Sequence, residues 1–184
     1  MKRTAIVLSL ILAAAAAEAK DVAGVNVPDS VSVNGQTLVL NGAGLRKKLF
    51  IKVYVGALYL ASKQSDAAAI VASDSPRRML MHFLYGVSKA QMAEAWEEGL
   101  RDNTPNPSAE VKKNFTTLAG WMEPINKGKT LVLTYVPGSG TIVEVNGVAK
   151  GVLAGKATAD AIVATWVGPK PGPGDDFKKA VLGK

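Results

Sequence analysis

The chain has 184 residues, no cysteine, a single histidine and a formal net charge of +7. At that length one domain is expected, disulfides are excluded, and one histidine rules out a metal site or triad built on several histidines within one chain. The positive charge does not by itself make a nucleic-acid binder: the basic pairs Lys47-Lys48, Arg77-Arg78, Lys112-Lys113 and Lys178-Lys179 are scattered, with no dense stripe and no interleaved aromatics.

Residues 1–19, "MKRTAIVLSLILAAAAAEA", place Lys2 and Arg3 before an apolar run from Ala5 to Ala17, and end in Ala17-Glu18-Ala19. That is the order of a secretory signal peptide with an A-x-A cleavage site. The run is short for a membrane anchor, the alternative reading. The short charged start and Ala-rich run look bacterial, so the expected destination is the periplasm, with one domain over residues 20–184. No later segment is apolar enough over a sufficient length to span a bilayer.

Val31 and Val33 alternate up to Asn34-Gly35, and Leu38-Val39-Leu40 follows. This predicts a two-residue hairpin. Residues Leu49 to Ala61 are rich in β-branched and aromatic side chains and predict a long strand. "SDAAAIVAS" predicts a short helix with Ser65 as its cap. "RRMLMHFLYG" predicts a strand between Pro76 and Gly86. The period then changes: Met92, Ala95, Trp96, Gly99 and Leu100 fall on one helical face, with Ser88 as cap and Pro105 as stop. Val111, Phe115, Leu118 and Met122 repeat that pattern. Turns at Gly138-Ser139-Gly140 and Asn146-Gly147 predict a three-stranded meander. A helix ending at Gly168, a Pro/Gly link and a short last helix with an acidic start complete the chain. This order predicts an α+β fold, one antiparallel sheet with helices on one face.

The strand from Leu49 carries a puzzle. Alternation puts Phe50, Lys52, Tyr54, Gly56, Leu58 and Leu60 on one face, and Arg46 shares their parity if the strand reaches that far. A cation buried without a partner costs several kcal/mol, roughly. Either Lys52 snorkels from an edge and Arg46 is solvated in a turn, or the two sit with Tyr54 in a pocket for a molecule with an anionic end and an apolar body.

"GAGLRKKLFIKVYVGALYL" resembles the signature of the chalcone isomerase-like family, in which a Gly-x-Gly-x-Arg turn runs into a strand with a Lys and a Gly-x-Tyr-Leu end. Gly42, Gly44, Arg46, Lys52, Gly56, Tyr59 and Leu60 stand close to it. "ATWVGPKPGPGDDFKKAVLG" resembles the C-terminus of the family's bacterial branch. The resemblance covers residues 21–184. It implies an open-faced β-sandwich, a large antiparallel sheet with a helical layer and a cleft between them.

Plant isomerases of this family use an arginine, a strand threonine, a helix tyrosine and a helix asparagine to close a chalcone. Arg46 matches the arginine and Tyr54 stands at the threonine. An alignment by eye puts Met92 at the tyrosine and Gly99 at the asparagine. Neither can polarise a carbonyl. Plastid fatty-acid-binding proteins of the same fold hold a carboxylate with the arginine and a tyrosine, which suits Arg46 and Tyr54.

The first expectation is therefore a non-catalytic binder of a small amphipathic anion such as a fatty acid. Arg46 would anchor it, Tyr54 would donate a hydrogen bond, Lys52 and Tyr85 are further polar candidates, and Met92, Trp96 and Leu100 could line a tail channel or simply form helix core. The alternatives are an isomerase acting on a phenolic or enone substrate through Arg46 and Tyr54, and an accessory interaction protein without a ligand. No cofactor, metal or nucleic acid is expected. His82 is expected at a hydrogen-bonded or partly wet position, Glu94, Glu97 and Glu98 on a solvated helix face, and Trp121 and Trp166 in packing roles. Gly42 and Gly44 are expected to serve a turn.

Overall fold

A computed structural model describes residues 19–184, so the expected leader lies outside the described residues except for Ala19. The alternating segments form β1 (Ala19–Val22), β2 (Val25–Pro28), β3 (Ser30–Val33), β4 (Gln36–Lys48) and β5 (Ile51–Leu60). Then come α1 (Ala67–Ala72), β6 (Arg77–Phe83), α2 (Lys89–Asn103) and α3 (Ala109–Trp121). The meander β7 (Thr130–Val136), β8 (Gly140–Val145) and β9 (Val148–Leu153) precedes α4 (Lys156–Val167) and α5 (Asp175–Val181).

Strands β3 to β9 form one seven-stranded sheet in sequence order, every pair antiparallel. The Asn34-Gly35 hairpin holds: both residues have positive φ, 48° and 78°, as a primed turn requires. Ser88 caps α2 in a capping box with Gln91. The cap of α1 is Asp66, not Ser65. Its carboxylate accepts from the N–H groups of Ala68 and Ala69, which satisfies helix-end donors that Ser65 stands too early to reach.

The helices cover one face of the sheet, where Leu58, Met79, Met81, Phe83 and Leu133 meet Trp96, Phe115 and Trp166 in the main core. On the opposite face the β1–β2 hairpin adds Val25 and Val27 to a smaller cluster with Leu38, Val55 and Tyr59. That second cluster was not foreseen from the pattern.

Gly42 and Gly44 do not form a turn. They lie inside β4, and α5 rests on them. A Cβ on Gly42 would stand 2.1 Å from the carbonyl oxygen of Ala180, and one on Gly44 would stand 3.2 Å from the Phe177 ring. On β5, Gly56 pairs with Gly44 and its Cβ would stand 2.5 Å from Phe177 Cζ. Three glycines thus leave a bare trough on the sheet, and Phe177 fills it. Asn41 secures the end of α5 by donating to Val181 O at 2.8 Å.

Arg77 departs from a solvated surface charge: it is only 4% exposed. Its guanidinium donates to Ile70 O, Ser73 O and Asp160 Oδ1 at 3.1, 3.0 and 2.6 Å, and lies 4.8 Å from the centroid of the Tyr135 ring. Asp160 also accepts from Lys156 at 2.6 Å. The network ties α1 to β6 and α4. Arg77→Ala leaves two carbonyls unpaired and is expected to lower the urea-unfolding free energy by about 3 kcal/mol at unchanged m-value. A loss below ~1 kcal/mol would show that the network adds little.

Candidate ligand cavity

The sequence left open whether Arg46 belongs to the strand of Tyr54. It does not. A two-residue turn at Leu49 and Phe50 separates β4 from β5, and Arg46 on β4 lies directly across from Tyr54 on β5. The parity argument put the two residues side by side on one strand, whereas they are neighbours across two strands. A register shift follows between Arg46 and Lys47, so that Lys47 faces Lys52 and Val53 bulges. Lys52 is turned out of the site: it is exposed and not among the cavity-lining residues, whereas Ile51, Val53 and Tyr54 are.

The cavity measures about 200 Å³ and lies between β4–β6 and α2, with α4 and the Gly172-Pro173 loop also contributing to its lining. Arg46, Tyr54, Tyr85, Met92 and Trp96 all line it. Met92 and Trp96 arrive together because they are one helical turn apart on α2. Tyr85 stands at the rim, 54% exposed. Met81, Phe83, Thr165 and Trp166 also line the cavity and were missed. The parity of β6 could have given Met81 and Phe83; Trp166 had no signal beyond its size. Leu100 is half-buried against the main core and does not line the cavity. His82 is half-buried and alternates with Met81 and Phe83, so it points to the opposite sheet face.

Gly99 has a packing reason. A Cβ there would stand 2.8 Å from Thr165 Cγ2, so its absence lets α2 and α4 cross closely. One turn on, Asn103 is buried, yet it is not in the cavity. It donates to Gly99 O and Lys170 O and accepts from Lys170 N, which fixes the loop that leads to the Gly172-Pro173 lining.

Tyr54 is held from three sides. Its ring centroid is 5.5 Å from that of Phe83 and 5.7 Å from that of Phe177, and its hydroxyl accepts from Trp166 Nε1 at 3.2 Å. A hydroxyl that accepts this bond still has a proton to donate, and no protein acceptor takes it among the described residues. The Arg46 guanidinium lies 5.8 Å from the ring centroid and has no carboxylate within 4 Å among the described residues. The acids that line the cavity, Glu94 and Glu98, are exposed on α2. Among the described residues no cluster of three or more metal-ligating side chains occurs. The result is a largely apolar hollow whose lining includes an arginine without a carboxylate partner and a phenol with a proton to donate.

Burial pushes the Tyr54 phenol pKa up, against the opposing pull of the Arg46 charge and the Trp166 hydrogen bond. The phenol therefore stays a donor at neutral pH. Burial likewise pushes Tyr59 up to about 12, and burial with the hydrogen bond to Asp74 pushes Tyr135 up to about 12. A raised phenol pKa means that the folded chain keeps protons the unfolded chain has lost above its value of 10.0. Stability from these groups is therefore complete below about pH 10 and falls as pH rises from about 10 towards about 12. Urea melts across that window are expected to show the decline, and Tyr59→Phe is expected to make it shallower. An unchanged slope would contradict the assignment.

A family model described as chalcone isomerase-like matches residues 19–183. The chain belongs to the chalcone isomerase-like family. No curated protein matches it. Among solved structures, a fatty-acid binding protein from Arabidopsis thaliana is similar at 19% identity and a TM-score of 0.66, over 86% of this chain and 92% of that one. That likeness shows the fold, an antiparallel sheet with a helical layer. In this chalcone isomerase-like chain the two stretches that carried the resemblance are halves of one contact: the Gly42-Gly44 segment is the seat of α5.

Proposed function

We propose that this protein is a non-catalytic binder of a small amphipathic carboxylate, exported to the periplasm by the leader expected at residues 1–19. One observation carries the reading: Arg46 has no protein carboxylate within salt-bridge reach among the described residues and stands beside Tyr54, whose proton no protein acceptor takes, and both line a largely apolar cavity. A guanidinium fork and a phenol together match a carboxylate, and the apolar walls match its tail. At 19% identity the fatty-acid binding neighbour lends the fold; the ligand class rests on Arg46 and Tyr54. A volume near 200 Å³ lies under the ~300–1,000 Å³ usual for drug-sized sites and favours a short tail. An isomerase is less well supported, because Met92 offers no proton donor and the Cβ position of Gly99 is filled by Thr165.

The test is native mass spectrometry of freshly purified protein, followed by melting with octanoate, palmitate and octanol. At about 100 times Kd a bound ligand adds about 2.7 kcal/mol, a rise of roughly 5–10 °C for a domain of this size. Octanoate is expected to give that rise, palmitate less and octanol almost none. No co-purified amphiphile together with no shift from any acid would refute the proposal.

Tyr54→Phe isolates the phenol. It keeps the ring between Phe83 and Phe177 and removes only the hydroxyl. Octanoate affinity is expected to fall roughly 3- to 10-fold, one hydrogen bond's worth. Isothermal titration measures it, and an unchanged Kd would place the carboxylate elsewhere.

A further inference from the structure

The β4–β5 hairpin ends in a feature that the cavity does not explain. Leu49 is 87% exposed, Phe50 100% and Ile51 44%. Three consecutive large apolar residues thus stand in water at the tip of a hairpin. Lys47, Lys48 and Lys52 flank them, all exposed and all without a salt bridge among the described residues. Lys47 and Lys52 sit directly opposite each other, a pairing that weakens a ladder.

The backbone adds to the case. Leu49 has φ 55°, a left-handed conformation that disfavours a branched side chain. The hairpins at Asn34-Gly35 and Asn146-Gly147 meet the same demand with the residues that suit it. At this tip the left-handed position is given to leucine, and phenylalanine follows it. Folding gains nothing visible from the exchange.

We propose that this tip inserts into the surface of an anionic phospholipid bilayer. The apolar residues would enter the boundary between headgroups and acyl chains, and the three lysines would meet the phosphates. A protein partner fits less well. A stable interface needs about 800 Å² from each side, and a three-residue projection ringed by like charges offers little of that. Among the described residues no helix is long and apolar enough to cross a membrane. Lys48 and Ile51 belong both to the tip and to the cavity lining. Insertion therefore turns the cavity mouth, with half-exposed Tyr85 on its rim, towards the leaflet. Docking stands on the hairpin alone; its use in loading an amphiphile rests on the cavity reading above.

The experiment is vesicle flotation of the chain starting at Lys20, which retains both core clusters and omits a leader that would bind lipid by itself. Vesicles of phosphatidylcholine with and without phosphatidylglycerol are compared. Binding is expected only to the anionic vesicles, and to weaken in high salt. The double variant Leu49→Ser with Phe50→Ser is expected to lose at least about tenfold in partitioning. Lys47→Gln with Lys52→Gln should also lose roughly tenfold or more. The serine variant should keep its octanoate shift, and Arg46→Ala should lose about half to most of that shift yet still float, so the two readings fail separately. Three outcomes overturn the proposal: wild type that stays with the buffer, a serine variant that floats like wild type, or self-association that the serine changes abolish without any flotation.

Discussion

Arg46→Ala lowers octanoate affinity by about 10- to 100-fold, the worth of a charge-assisted hydrogen bond of roughly 1.5–3 kcal/mol. The melting temperature without ligand stays almost unchanged. Both halves follow from the same geometry. The guanidinium is half-buried and has neither a carboxylate partner nor a hydrogen bond to a backbone carbonyl among the described residues, so its removal leaves no buried charge unpaired. A carboxylate in the cavity, by contrast, loses the cation that lies beside Tyr54, and keeps only the exposed Lys48 on the lining. Arg46→Lys keeps the charge but not the planar fork, and falls between the two. Isothermal titration at two salt concentrations measures the series. Equal affinities for wild type and Arg46→Ala would remove the arginine from the site, and a large drop in the unliganded melting temperature would make it structural.

Gly42→Ala is expected to cost about 3 kcal/mol of stability, as much as Arg77→Ala, at the upper end of what an added methyl does in a packed core. In a domain of this size that lowers the melting temperature by roughly 6–12 °C. The added carbon would stand 2.1 Å from Ala180 O and 2.8 Å from Val181 O. Those are backbone atoms of α5 and cannot swing aside, so the helix must lift. Phe177 would lift with it and release one side of the Tyr54 ring. Octanoate binding should therefore weaken along with stability. Gly56→Ala makes a useful contrast. Its new carbon would meet Phe177 Cζ at 2.5 Å, the far end of a side chain that can tilt, so about 1 kcal/mol is expected. Should Gly42→Ala melt like wild type, α5 is not seated on β4 as described.

Turns and periods were legible because they depend on near neighbours in the chain. The Asn34-Gly35 and Asn146-Gly147 hairpins, the Ser88 cap and the apolar face of α2 each follow from residues within a few positions of one another. The strand faces were legible only in part. Leu38 and Leu40 share a parity with Gly42, Gly44 and Arg46, yet a bulge between Leu40 and Gly42 sends the leucines to the small cluster and the others to the helical side. One inserted residue reverses every side chain after it, and the bulge carries no mark in the sequence. Lys52 was misjudged for a related reason: the second shift, at Arg46 and Lys47, turns it away from the cavity.

By itself the sequence determined the α+β class, the order of strands and helices from β3 onward and the family resemblance, and it drew notice to Arg46 and Tyr54. Tertiary structure alone decided that these two meet across strands, that Trp166 and Phe177 hold the phenol, that three glycines are a seat for α5, and that Arg77 is buried among carbonyls and a carboxylate. The division has a physical cause. Local conformation is set by sterics and hydrogen bonds within a few residues, whereas a cavity is the space left when elements far apart in sequence pack, as Asn41 does with Val181 across 140 positions.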